Sequence, residues 1–121
     1  MEHIMKVRVG DLAVGRAGDK GDVLDLTLVA VDQAAYERLV HCLDVPTLER
    51  LLAAAVPGPV QRHLLPGLKA LKFVLPQALP GGVYASLRPG LHWQKAAIWL
   101  LLDLCIDGET VCLPSQIEER L

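Results

Sequence analysis

Apolar residues recur along this chain with two periods, and the switches between them mark its elements. Leu24, Leu26, Leu28 and Ala30 alternate with Asp25, Thr27, Val29 and Val31, the period of two expected of a strand. The second set begins polar and turns apolar, which predicts a far end covered on both sides. Tyr36, Leu39, Val40 and Leu43 then follow at helical spacing, with Glu37, Arg38 and His41 off the stripe. Asp32 stands where an N-cap belongs, so a helix is predicted over 33–43. Asp44 caps a second helix with Pro46 in its first turn and a stripe of Leu48, Leu51, Leu52 and Ala55. Pro57-Gly58-Pro59 ends it.

Val60 to Leu65 reads as a short strand, Pro66-Gly67 as a turn, and Lys69 to Leu75 as a strand with Lys69, Leu71, Phe73 and Leu75 on one face. Residues 76–82 are rich in turn formers, Tyr84 to Leu87 is a short segment, and Pro89-Gly90 stops it. His92 to Leu102 reads as a helix entering a strand, because Leu100, Leu102, Leu104 and Ile106 alternate with Asp103, Cys105 and Asp107. Asp107-Gly108 is the strongest hairpin signal, with a return strand over Glu109 to Leu113. Ser115 to Leu121 is a polar tail that can form a loose helix. At the other end, Lys6 to Val9 alternates, and with Leu12 to Val14 it makes a short or interrupted strand. Helices between strands, closed by an antiparallel hairpin, predict an α+β sandwich in a single domain over 1–121.

That first strand leads into the densest stretch of the chain, Gly15-Arg16-Ala17-Gly18-Asp19-Lys20-Gly21-Asp22. It packs three glycines, two cations and two carboxylates into eight residues. Glycines at φ > 0 allow a tight turn whose N–H groups converge, and Arg16 and Lys20 add charge for an anion. A polar β-turn whose charges satisfy one another accounts for the same residues.

The totals narrow the options. The chain has 121 residues, 52% of them apolar and 4% aromatic, with a net charge of −2 and a mean hydropathy of +0.35. So aliphatic a small domain is expected to bury further surface in an oligomer or against a partner. Without a basic stripe or a stacking platform, nucleic-acid binding is not expected. The longest apolar run, Ala96 to Leu102, is too short for a membrane span, and the N-terminus lacks a signal-peptide core, so a cytoplasmic protein is expected. Cys42, Cys105 and Cys112 have no Cys-x-x-Cys spacing and read as reduced thiols; Cys105 and Cys112 can face each other across the hairpin or be buried as small apolar residues. His3, His41, His63 and His92 form no metal pattern, and no P-loop, G-x-G-x-x-G or G-x-S-x-G is present, so neither metal nor cofactor is expected.

The octet resembles the "RSGDKGD" signature of the C-terminal domain of acyclic terpene utilisation AtuA-type proteins. Leu71-Lys72-Phe73-Val74-Leu75-Pro76-Gln77-Ala78-Leu79-Pro80-Gly81-Gly82-Val83 is similar to that family's "LNFVL…ALGGGV", and Ser86-Leu87-Arg88 to its "RSLR" continuation. The resemblance spans roughly residues 7–107. Lys72 stands where the family usually has Asn, Pro80 where it has Gly, and Ala85 where it has Arg.

The resemblance implies a ferredoxin-like fold, a mostly antiparallel sheet with helices on one face. It also implies a link to acyl-CoA or branched-carboxylate catabolism of the acyclic-terpene type. In larger relatives this domain follows a big N-terminal domain. A free-standing copy would be an accessory or ligand-binding module in a homo-oligomer or with a separately encoded large AtuA-type subunit. The expected site joins the two glycine corners. Arg16, Gly18, Asp19, Lys20, Gly21 and Asp22 come from the first and Gly81, Gly82 and Arg88 from the second, around an anion such as a carboxylate or a CoA thioester. The alternative is an enzyme in its own right, a lyase or hydratase with Asp19 and Lys20 as catalytic residues at a subunit interface.

Overall fold

The computed structural model describes residues 6–20, 23–53, 58–76 and 93–113. The strand β1 (Lys6–Arg8) is followed at once by a single helical turn, α1 (Val9–Leu12), and then by β2 (Ala13–Lys20) and β3 (Val23–Ala30). Two helices come next, α2 (Gln33–Cys42) and α3 (Val45–Leu52). After them come β4 (Gln61–Leu65), a 3-10 turn at Pro66–Leu68 and β5 (Ala70–Leu75). The last elements are α4 (Trp93–Asp103), β6 (Cys105–Asp107) and β7 (Thr110–Cys112).

The strands form two antiparallel sheets rather than the single sheet expected. One has the order β2-β3-β5-β4 and the other β1-β6-β7. The α+β class with antiparallel sheets and several helices is consistent with a ferredoxin-like domain.

The helix starts are those the capping residues announce. Asp32 accepts a hydrogen bond from Ala35 N at 2.8 Å, and Asp44 accepts one from Thr47 N at 3.0 Å, each satisfying a first-turn donor. A carbonyl in the last turn of α2 and the one at its C-cap also find a donor. Arg62, on β4, donates from Nη1 to Val40 O at 2.7 Å and to Leu43 O at 3.1 Å, placing a cation at the negative end of the helix.

The core follows the period-two face of β3. Leu24, Leu26 and Leu28 are fully buried, as are their cross-strand partners Leu75, Phe73 and Leu71 on β5. Helix residues Leu39, Leu43, Leu48, Leu52 and Leu101 complete this aliphatic interior. The opposite face is different. Val14 and Val29 stand opposite each other in register and are 65% and 40% exposed; Val31 and Leu65 are exposed as well. The expectation that the far end of β3 is covered on both sides is therefore overturned for Val29 and Val31 within this chain, although Ala70, opposite Val29 on β5, is buried.

Two further expectations are corrected. The octet is not a turn over its first six residues: Gly15 to Lys20 continue β2, paired residue for residue with β3 from Gly15↔Leu28 to Lys20↔Val23. The alternation after Leu100 is not a strand. α4 runs to Asp103, burying Ala97, Ile98 and Leu101 at helical spacing, and only Cys105–Asp107 is extended. Short aliphatic runs fit both periods, and packing on the sheet selects the helix. The strand over residues 6–14 is interrupted, as expected, by the turn of α1, which Asp11 fastens by accepting from Arg8 N at 3.0 Å. The hairpin is as expected, with Gly108 at φ +65° in its turn. The expected segments at Gln77–Leu87, at Pro89-Gly90 and at Ser115 to Leu121 lie outside the described residues, as does Ala55.

Candidate functional site

β2 is an edge strand of the four-stranded sheet, and α4 packs beside it. Gly15 makes that approach possible. A Cβ there would stand 3.0 Å from Ile98 Cγ1 and Cδ1 and 3.1 Å from Leu102 Cδ2. Gly15 and Gly18 are both extended; a positive φ is expected of at least one of Gly15, Gly18 and Gly21, and Gly21 lies outside the described residues. In this strand the first glycine of the octet is a contact surface for a helix, not a hinge for a turn.

Along this edge runs a groove of about 690 Å³ between β2, α1 and α4. Val14, Ile98, Trp99 and Leu102 give it apolar walls, and Arg8, Asp11, Arg16 and Asp103 give it charge. Trp99 is 62% exposed, unusual for so large an apolar side chain, and lies against this space. Three of the four charged groups are engaged with one another. Asp11 holds the Arg8 backbone, and Arg8 Nη1 lies 3.8 Å from Asp103 Oδ1. Arg16 is exposed, and among the described residues it has neither an ion pair nor a side-chain hydrogen bond.

Arg16 also belongs to the open face of the sheet. It stands opposite Thr27, which stands opposite Lys72, which stands opposite His63. Two blocks of sequence some fifty residues apart thus meet in one cross-strand row, Arg16 and Lys72 separated by two strand spacings, roughly 10 Å. Lys72, the residue in place of the family's Asn, is held by Asp25 at 3.1 Å, and Thr27 Oγ1 donates to the same carboxylate at 3.3 Å.

At one end of the sheet, Asp19 is opposite Leu24 and Leu24 is opposite Leu75. The end of β2 and the end of β5 therefore lie two strands apart. The backbone frame brings the start of residues 76–82 to the same sheet end as the β2–β3 connection. Gly18 is at that end of β2, and a Cβ there would meet nothing within 4 Å. The backbone of Asp19 and Lys20 closes the strand, while their side chains lie outside the described set, as do Gly21, Asp22, Gly81, Gly82 and Arg88 entirely. Pro80 and Ala85 lie outside it too. The lyase or hydratase reading rests on those two side chains and gains no geometry here.

The groove was not legible beforehand. Arg8 reads as one polar position in an alternating strand, and Trp99 disappears into the apolar run Ala96 to Leu102. The signal that was present is helical: Ala97, Ile98 and Leu101 share a stripe, and Trp99 falls off it. Among the described residues no three His, Cys, Asp or Glu side chains gather as a metal site. No helix among them is long and apolar enough to cross a membrane.

Comparison with known proteins bears on the whole domain. No curated protein and no solved structure matches the chain. The AtuA ferredoxin-like domain model matches residues 7–107, from β1 to the end of β6, taking in the whole four-stranded sheet, the octet and the groove beside it, with β7 beyond its end. The chain belongs to the AtuA ferredoxin-like domain family.

Proposed function

We propose that this domain is a ligand-binding or accessory module of acyl-CoA or branched-carboxylate catabolism, and that its β2–α4 groove takes a small amphipathic carboxylate. The observation that carries this reading is Arg16, an exposed guanidinium without a partner among the described residues, at the rim of a groove walled by Val14, Ile98, Trp99 and Leu102. A guanidinium binds a carboxylate through two parallel N–H donors. The branched hydrocarbon of such a ligand would lie on the apolar wall and shed water from Trp99. Arg8 pairs with Asp103 and its backbone N–H donates to Asp11, which leaves Arg16 as the rim cation without an ion-pair partner among the described residues.

The test is Trp99 fluorescence in a Trp93→Phe background, titrated with branched medium-chain carboxylates and with the matching alcohols. Carboxylates should bind at least about tenfold more tightly than alcohols, and Arg16→Gln should remove that difference, as loss of a charge-assisted hydrogen bond implies. Equal binding of acid and alcohol, or an unchanged preference in Arg16→Gln, would end the proposal.

The same reading sets the domain in an assembly. The exposed Val14, Val29, Val31, Leu65 and Leu68 supply apolar surface for a second copy or for a large AtuA-type subunit. Light scattering at micromolar concentration should show more than one chain per particle if the partner is a second copy. A monomer that co-purifies with a large subunit identifies the other partner, and a monomer that captures none removes the assembly.

A further inference from the structure

All three cysteines of the chain gather around the β6–β7 hairpin. Cys42, at the end of α2, directs Sγ at Gly108 O in the hairpin turn, at 4.0 Å. Cys105 and Cys112 stand directly opposite each other on the two hairpin strands. Arg8 on β1 extends the same row on the other side of Cys105. The three cysteines differ in access: Cys42 and Cys105 are buried, and Cys112 is half-buried.

We propose that Cys105 and Cys112 are a dithiol that closes to a reversible cross-strand disulfide, with hydrogen peroxide as the oxidant. Opposed residues of antiparallel strands have Cα atoms about 4.5–5.5 Å apart, inside the roughly 4.4–6.8 Å that a disulfide spans. Their Cβ atoms stand about 4.5–5.5 Å apart, whereas a relaxed bridge holds them near 3.8 Å. Closing the bond therefore draws two short strands together, and the bond, held under tension, reopens to mild thiols. Cys42 cannot substitute. Its thiol meets the turn, while the Cys105–Cys112 pair lies two residue pairs further along the ladder, roughly 7 Å away.

The order of events follows access. The Cys112 thiolate attacks one peroxide oxygen; the O–O bond breaks, hydroxide leaves, and Cys112 carries a sulfenic acid. The Cys105 thiolate then attacks that sulfur; the S–S bond forms, the S–O bond breaks, and a second hydroxide leaves. The two hydroxides take up the two protons of the thiols. Two thiols and one peroxide thus give one disulfide and two waters, the thiols losing two electrons to the peroxide. Burial pushes the Cys105 thiol up, with the neighbouring Cys112 adding to the shift and Arg8 and Lys6 opposing it, so Cys105 suits the second, resolving step. The reduced Cys105 thiol also donates to Asp103 O at 3.6 Å, and Asp103 lines the β2–α4 groove with Arg8.

The experiment exposes the full chain to hydrogen peroxide, blocks the remaining thiols by alkylation and reads the intact mass. The wild type should become an intramolecular product about 2 Da lighter, with its alkylatable thiols falling from three to one and dithiothreitol restoring all three. C42S should make the same bridge, its thiols falling from two to none. C112S, altered at the partly exposed position, should never give the lighter product, and C105S should agree where it folds. A wild type that keeps three thiols, gains only oxygen, or links chain to chain overturns the proposal. Loss of the bridge in C42S overturns it equally.

Discussion

Gly15→Ala tests the assignment of the octet's first glycine to packing rather than turning. The added methyl would stand 3.0–3.1 Å from carbons of Ile98 and Leu102, against the roughly 3.5–4.0 Å at which carbon atoms rest comfortably. Ile98 and Leu102 must yield by a few tenths of an ångström, and overpacking of that kind costs about 1–3 kcal/mol. Alanine in place of glycine in an extended strand returns about 0.5–1 kcal/mol. The net expectation is a loss of about 1 kcal/mol. Ile98→Val, which removes the Cδ1 methyl that would be struck, should cost about 0.5–1.5 kcal/mol when made singly. In the double variant the alanine methyl takes up part of the space that valine vacates, and one of its three close contacts is gone while those to the Cγ1 carbon and to Leu102 Cδ2 remain. The pair should therefore be about 1 kcal/mol more stable than the sum of its parts. Urea unfolding monitored by circular dichroism gives the three differences, with an unchanged m-value as the sign that only stability has moved. Additivity within about 0.3–0.5 kcal/mol would refute the contact. A left-handed glycine would behave differently again, destabilised by alanine with no rescue from Ile98→Val.

Other substitutions separate the remaining roles. Gly18→Ala should be neutral or stabilising by up to about 1 kcal/mol, since the residue is extended and a Cβ there meets nothing within 4 Å; a loss in thermal unfolding would contradict its backbone. Gly108→Ala meets equally open space but sits at φ +65°, so it should cost about 1 kcal/mol from the backbone without any clash. Arg62→Met should cost about 2 kcal/mol by uncapping two α2 carbonyls, with Arg62→Lys recovering part of it; no change in the urea midpoint would show that water caps them as well. Hydrogen bonds from Thr47 hold the Asp44 carboxyl below its usual range. Its contribution is therefore present above the unfolded-state pKa near 3.9 and is lost as pH falls through the lower folded value. Asp44→Ala should cost about 1 kcal/mol at pH 7, and thermal melts of the two proteins should converge below about pH 4.

Much of the fold is local enough to read from the residues. Strand β3 and helices α2 and α3 each carry one unbroken period over a full face, with Asp32 and Asp44 as caps, and short-range geometry settles them. The β6–β7 turn is likewise set by Asp107-Gly108, because glycine accepts its φ without penalty. The AtuA resemblance was legible for a different reason, since two ordered blocks of unusual residues do not depend on knowing how they pack.

Tertiary structure decided the rest wherever local preference was ambiguous or silent. The aliphatic run into α4 fits both periods, and only burial of Ala97, Ile98 and Leu101 against the sheet chooses the helix. Glycine tolerates extended and left-handed backbone alike, so Gly15 gave no sign that Ile98 and Leu102 would occupy the place of its missing side chain. Arg16 and Lys72 share a row because β2 and β5 flank the same central strand, a long-range pairing that no window of sequence contains. The groove depends on the same pairing: most of its apolar wall and Asp103 come from α4, while Val14 and its other charged groups come from β1, α1 and β2. These segments lie some eighty residues apart and meet only when the sheet leaves β2 at its edge.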